Sequence, residues 1–271
     1  MKKLIAILLA LACVFAFAAC AAKEEPVDEG TADPTPPAVT EEAPPAETAD
    51  ETDAKSEGVL TYAEYVAAEL ESAVVIEAYV QATQSWWDNK ITVYTQDEDG
   101  AYFIYELTCS EADSALLVPG TKIRVTGFKT AWSGEIEIAS GATFEILDGS
   151  YIAPATDVTA LLGNDDALIE HQNEFVSFKG LTVEAQELDG AEVAFLYNWD
   201  GSGTDGNDLY FNVSLNGATY TFTVESYLTG AGTDVYEAVK ALNVGDVVDL
   251  EGFLYWYNGV NPHITAVTPA V

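Results

Sequence analysis

The sequence predicts a mainly β protein: two tandem five-stranded Greek-key barrels, each with a short helix, behind a disordered N-terminal linker. Three observations predict it. Composition changes abruptly along the chain. Residues 21–57 hold six of the ten prolines and no aromatic residue, whereas aromatic and β-branched residues dominate from Gly58 onward. The chain also repeats itself. Residues 117–128 (LVPGTKIRVTGF) align with 242–253 (LNVGDVVDLEGF), and Trp132 and Gly134 then fall opposite Tyr257 and Gly259. Lastly, each copy alternates apolar and polar residues over short runs separated by turn residues, the period of half-buried strands.

In the first copy the strands are expected at 74–80, 91–96 and 102–107. In the second they are expected at 175–183, 193–197, 209–215 and 220–224. Asp99-Gly100 and Asn216-Gly217 are hairpin turns, because both residue types tolerate the left-handed backbone such turns need. A helix follows in each copy, opened by Ser110 with Asp113, or by Asp234 with Glu237, in the spacing of a capping box. Another helix is expected from Thr61 to Leu70. The repeated fourth strand bends at Gly127 or Gly252, and a last strand lies at 135–138 or 263–267. The copies are spaced further apart at the fourth strand than at the first, so the second carries an insertion near 187–208. Domains are therefore expected at 58–150 and 151–271.

Three strands, a helix and two strands is the order of the OB-fold, which both copies resemble. The internal helices argue against an immunoglobulin-like sandwich. The resemblance implies a ligand face on strands 2 and 3, bordered by the loops between strands 1 and 2 and between strands 4 and 5.

The N-terminus specifies an address. Lys2 and Lys3 precede an apolar run from Leu4 to Ala19, too short to span a bilayer, and polar residues follow Cys20. Phe17-Ala18-Ala19-Cys20 resembles the lipobox of bacterial lipoproteins, with Phe17 where that motif usually has Leu. The resemblance implies cleavage directly before Cys20, a diacylglycerol on Cys20, which becomes the first residue, and display on the outer face of the cell membrane, or in the periplasm if the host has an outer membrane. Residues 21–57 then form an acidic, proline-rich tether that buries too little apolar surface to fold.

The chain has 10 basic and 45 acidic residues, a net charge of −35, and removing residues 1–20 takes away two lysines to leave −37. That balance disfavours a polyanion, so nucleic acid is not the expected partner, although Lys122, Arg124 and Lys129 form a local basic cluster. Cys109 alone remains beyond the leader and Cys20, which excludes an internal disulfide. His171 and His263 have no neighbouring Cys or His, so zinc is unsupported.

All five tryptophans fall in or beside the loops of the expected ligand face. Trp86 and Trp87 lie between the first two strands and Trp132 between the last two. Trp199, Tyr255, Trp256, Tyr257 and Asn258 hold the corresponding places in the second copy. Flat rings there stack on ligand rings, or pack against each other where the barrels meet. In the insertion, Asp200, Ser202, Thr204, Asp205, Asn207 and Asp208 are spaced by glycines as hard-cation ligands can be. An EF-hand is excluded because Phe211 stands where its last acid belongs. Glycines with turn-forming Asp, Asn and Ser also make a plain flexible loop, so no cofactor is expected, with calcium as the alternative. No nucleophile elbow, P-loop, zinc-protease motif or dinucleotide fingerprint is present, so no enzyme is expected. The sequence reading favours a binding module for glycan or cell-wall polymer. Docking onto a surface protein is the alternative, and nucleic-acid processing a weaker one.

Overall fold

The computed structural model describes residues 55–270. The leader, the lipidation site Cys20 and the tether as far as residue 54 lie outside the described residues. Lys55, at the end of the tether, is tied to the first barrel: its Nζ meets Asp97 Oδ2 at 2.8 Å and donates to the carbonyl of Glu77.

The first barrel contains α1 (Tyr62–Ala67), β1 (Ala73–Thr83), β2 (Lys90–Gln96), β3 (Ala101–Thr108), α2 (Glu111–Ser114), β4 (Thr121–Trp132), β5 (Glu135–Ile138) and β6 (Thr143–Ser150). Its strands hydrogen-bond in the order β1-β2-β3-β5-β4, and β4 returns to β1, so the sheet closes; β6 adds to the outside of β4. β4 achieves the closure by serving two partners in turn. Residues 122–128 pair with β1, and residues 129–132 pair with β5. Gly127 sits at this handover, where an added Cβ would come within 2.6 Å of Ile138 Cγ2. A barrel corner this tight requires a residue with no side chain. Ile76, Val80, Val93, Ile104, Ile123 and Val125, alternating along their strands, fill the interior.

The second barrel repeats the plan with β7 (Thr156–Asp157), α3 (Asp165–Leu168), β8 (Phe175–Glu184), β9 (Gln186–Leu188), β10 (Ala191–Val193), β11 (Phe195–Tyr197), β12 (Leu209–Leu215), β13 (Ala218–Val224), α4 (Ser226–Thr229), α5 (Asp234–Lys240), β14 (Val247–Phe253) and β15 (His263–Pro269). The closed ring is β8-β12-β13-β15-β14 and back to β8. Phe178, Phe211 and Phe222 form its centre, with Phe178 and Phe222 at 4.7 Å between ring centroids. Both barrels are therefore OB-folds.

Local details differ from expectation in three places. The helix expected to Leu70 ends at Ala67, because Ala68 is already extended. α5 is capped by Thr233, whose hydroxyl accepts the Tyr236 N–H, so the cap lies one residue earlier than Asp234. The run 193–197 is not one barrel strand. It divides between β10, which pairs with β9 in a separate hairpin, and β11, which pairs with β12 outside the ring. Residues 186–208 thus build an appendage at the edge of the second strand.

The barrels meet along a seam of aromatic rings and main-chain bonds. Tyr94 stacks on Phe253 at 4.5 Å, and Phe103 meets Tyr255 edge-on at 5.2 Å. Gln172 Nε2 donates to the Gly134 carbonyl at 3.0 Å, Asn173 Nδ2 to that of Ile136 at 3.1 Å, and the Asn258 N–H to that of Ser133 at 2.6 Å. Such a seam fixes one barrel against the other. Among the described residues no helix is long and apolar enough to cross a membrane.

Candidate functional site

The outward face of β12 is built by alternation. Leu209, Phe211 and Val213 point into the second core, which leaves Tyr210 and Asn212 on the opposite face. Together with Phe103 and Tyr105 of β3 and Tyr255 after β14, they floor a cleft of about 900 Å³ between the barrels. Trp132, Trp199 and Tyr257 form its rim. Trp199 is 75 % exposed and Trp132 54 %, and Trp132 lies 5.1 Å from Tyr257 across the seam. Trp132 and Tyr257, equivalent in the repeat, are thus a contacting pair.

The polar lining is fixed by second partners. Asn212 Oδ1 accepts the Thr221 hydroxyl and Asn261 Oδ1 that of Thr223, which turns both amide N–H₂ groups to other uses. Gln186 Nε2 donates to the Tyr210 carbonyl. Glu225 caps α4 through the N–H groups of Tyr227 and Leu228, and burial pushes its carboxyl up to about 7. Asp208 Oδ1 accepts both the N–H and the hydroxyl of Ser226. His263 is buried, and that burial lowers it to about 3, so it is neutral, with Nδ1 2.7 Å from the Tyr94 hydroxyl and its ring stacked on Tyr255 at 4.2 Å.

The aromatic residues singled out by sequence therefore separate. Trp132, Trp199, Tyr255 and Tyr257 come together at the cleft. Trp87, 67 % exposed, lines a smaller neighbouring pocket with Tyr105, Lys90 and Tyr227. Trp86 packs on the first core and donates its indole N–H to the Cys109 carbonyl at 2.9 Å, while Trp256 is buried in the second core. Asn258 turns the chain with φ 55° and bonds Ser133 rather than lining the cleft. Tyr210, Asn212 and Tyr105 escaped the sequence reading, although the alternation in 209–213 marks the first two as outward-facing.

The acidic loop does not gather its oxygens. Asp200 Oδ1 accepts from Ser202, Asn207 Oδ1 from the Thr204 N–H, and Asp205 Oδ1 from Lys240 at 2.8 Å. Among the described residues no three His, Cys, Asp or Glu side chains converge as metal ligands. The basic cluster is occupied as well. Arg124 bonds Glu77 at 2.8 Å, Lys122 lies 3.7 Å from the same carboxylate, and Lys129 Nζ donates to the carbonyls of Tyr65, Val66 and Ala68. Cys109 is buried, and burial raises its thiol to about 11.

No protein-family model and no curated protein matches this sequence. Solved structures do. A p204 HINb domain has 12 % identity and a TM-score of 0.33, covering 72 % of this chain and 95 % of its own. A murine DNA-binding protein bound to double-stranded DNA has 10 % identity and a TM-score of 0.36, covering 73 % and 96 %. A replication protein A heterotrimer bound to single-stranded DNA has 12 % identity and a TM-score of 0.28, covering 71 % and 50 %. These matches correct two expectations. The preference for a glycan and the dismissal of nucleic acid on net charge both give way, because the similar solved chains include ones bound to DNA. Likeness of this size transfers no ligand to this chain.

Proposed function

We propose that this protein is a non-enzymatic binding module whose inter-barrel cleft takes nucleobases, as presented by a single-stranded nucleic acid. The observation that carries this reading is the exposure of Trp132, Trp199 and Tyr257 around one cleft on the second-strand and third-strand faces of the barrels. Stacking of a base on an aromatic side chain contributes roughly 1–3 kcal/mol and tolerates any base. The amide groups of Asn212 and Asn261 are positioned to meet base edges once a ring is seated.

Among the described residues, no lysine or arginine lines this cleft. Binding is then led by rings rather than by phosphates, and the usual steep loss of affinity with salt is absent. Repulsion between an acidic protein and a polyanion is itself screened by salt, so affinity holds or rises between about 50 and 300 mM. The test is tryptophan fluorescence of the protein titrated with short single-stranded homopolymers at both salt concentrations. Saturable quenching with flat or rising affinity supports the proposal. No quenching by any of the four homopolymers removes it.

We also propose that the protein is exported and held at the membrane by a lipid on Cys20, on the strength of the leader and lipobox alone. Cys20→Ala then moves the protein from the membrane fraction to the soluble fraction of its host; unchanged fractionation overturns the anchor.

A further inference from the structure

The seam contains a carboxylic acid that faces no cation among the described residues. Glu135, the first residue of β5, is 0 % exposed. Its Oε2 accepts the main-chain N–H of Trp256 at 3.0 Å and Nε2 of Gln172 at 3.3 Å, both from beyond the first barrel. Its Oε1 has no hydrogen-bond partner. The Asn173 amide lies beside it, and Asn173 Oδ1 is another buried acceptor without a donor. A proton on Glu135 Oε1 removes the charge that this unpartnered oxygen would otherwise share. An ionised Glu135 would instead bury a full charge with an unsatisfied oxygen, a state far costlier than the neutral acid.

The surrounding titratable groups make that cost worse. On β5 itself, Glu137 adds a like charge. Tyr62 and Tyr65 of α1, and Tyr94 and Tyr255 at the seam, are phenols held neutral first by burial and further by any charge on Glu135. His263, on the other side of Tyr255, is held neutral by burial. Lys129 of β4 is committed to three carbonyls of the α1 segment.

We propose that Glu135 is a protonation-operated latch between the barrels, closed while its carboxyl is neutral and released when it ionises. Its place in the seam gives the latch a readout. Glu135 lies three residues after Trp132, and its partner Trp256 precedes Tyr257, so one bond holds both members of the aromatic pair over the cleft. The neighbouring bond from the Asn258 N–H to the Ser133 carbonyl closes the same corner. Release separates the Trp132–Tyr257 pair and widens the cleft rim without unfolding either barrel. Burial, reinforced by Glu137 and opposed by Asn173 and the Trp256 N–H, pushes the carboxyl up to about 8. The latch therefore works within reach of neutral pH, whatever occupies the cleft.

The test follows tryptophan emission and near-UV and far-UV circular dichroism of the full chain across pH 5.5–9.5. The expected result is one reversible step in emission and near-UV signal between about pH 7 and 9, with far-UV signal unchanged. Glu135→Gln abolishes the step, and Glu137→Gln keeps it while moving its midpoint down. No step in the unmodified protein, or a step that survives in Glu135→Gln, overturns the latch. Should Glu135→Gln fail to fold, the Trp256 amide resonance of the unmodified protein reports the same proton, and a resonance that does not move across this range is equally fatal.

Discussion

At the scale of single residues, exposure separates the aromatic side chains by what they can do. Trp86 and Trp256 are turned into cores and contribute packing, whereas Trp199 presents most of its surface to solvent and gives the fold little. Trp199→Ala should therefore weaken single-stranded oligonucleotide binding by the ~1–3 kcal/mol of one lost stack, about 5-fold to 150-fold, with the melting temperature unchanged. Trp256→Ala should do the reverse. Truncating a core aromatic typically costs about 3–5 kcal/mol, so this variant melts far earlier and shows whatever affinity its folded fraction retains. Paired titrations and thermal melts on the two variants check this. Equal loss of affinity at equal stability would show that the cleft is not where ligand binds. Nothing in the residue types distinguishes these two tryptophans in sequence, since each sits next to aromatic or acidic neighbours. Their separation arises from which barrel wall happens to lie behind each loop.

At the scale of elements, the two repeated glycines show how little of the sequence decides the closure. Gly127 and Gly252 stand where the fourth strand hands over between partners, and an added Cβ at Gly252 would strike the backbone of His263 and Ile264. Backbone cannot step aside as a side-chain tip can, so Gly252→Ala shifts β14 from β15 and costs about 1–3 kcal/mol or more. At Gly127 the obstructing atoms belong mainly to the side chains of Ile138 and Ala142, and the same substitution costs less. Chemical denaturation of the two variants measures the difference, and a larger loss at Gly127 would contradict it. These glycines were legible because the repeat aligned them and because strand bends demand them. The barrel strands were legible for a similar reason: alternation and hairpin turns are local signals, and the expected 209–215 and 135–138 are the observed β12 and β5. The insertion was legible as extra length near 187–208, but the strands inside it were not. Residues 193–197 carry strand-forming side chains, and only the competition between β9 and β12 for pairing decides that the run is divided. The cleft stayed hidden too, because it is made from the faces of two barrels whose mutual placement rests on the long-range bonds of Gln172, Asn173 and Asn258.

At the scale of the whole molecule, the seam couples stability to pH from both sides. Burial raises Glu135 to about 8 and Glu137 and Glu225 to about 7, so the folded protein holds these protons more tightly than the unfolded chain does. The stability they confer is complete below the ordinary carboxyl value of 4.5 and is lost as pH rises through about 7 and 8. His263 works in the other direction. Burial lowers it from 6.5 to about 3, so its contribution is present above 6.5 and is lost as pH falls and the unfolded chain takes up the proton first. Glu77 adds to that acid-side loss, because bonds from Ser56 and Arg124 and the charge of Lys122 outweigh its burial and lower it. Self-repulsion in a chain of net charge −35 acts alongside the buried acids, since partial protonation at lower pH relieves it. Between 4.5 and 6.5 the three raised carboxyls outweigh the one lowered imidazole, so the melting temperature should peak near about pH 4.5 and fall on both sides. Calorimetry from pH 4 to 9 measures the curve, and added salt separates its sources: screening recovers the part due to surface repulsion and leaves the buried part intact. A melting temperature that stays level or rises from pH 6 to 9 at high salt would mean that Glu135, Glu137 and Glu225 ionise in place, and that the seam tolerates charge which its packing gives it no means to neutralise.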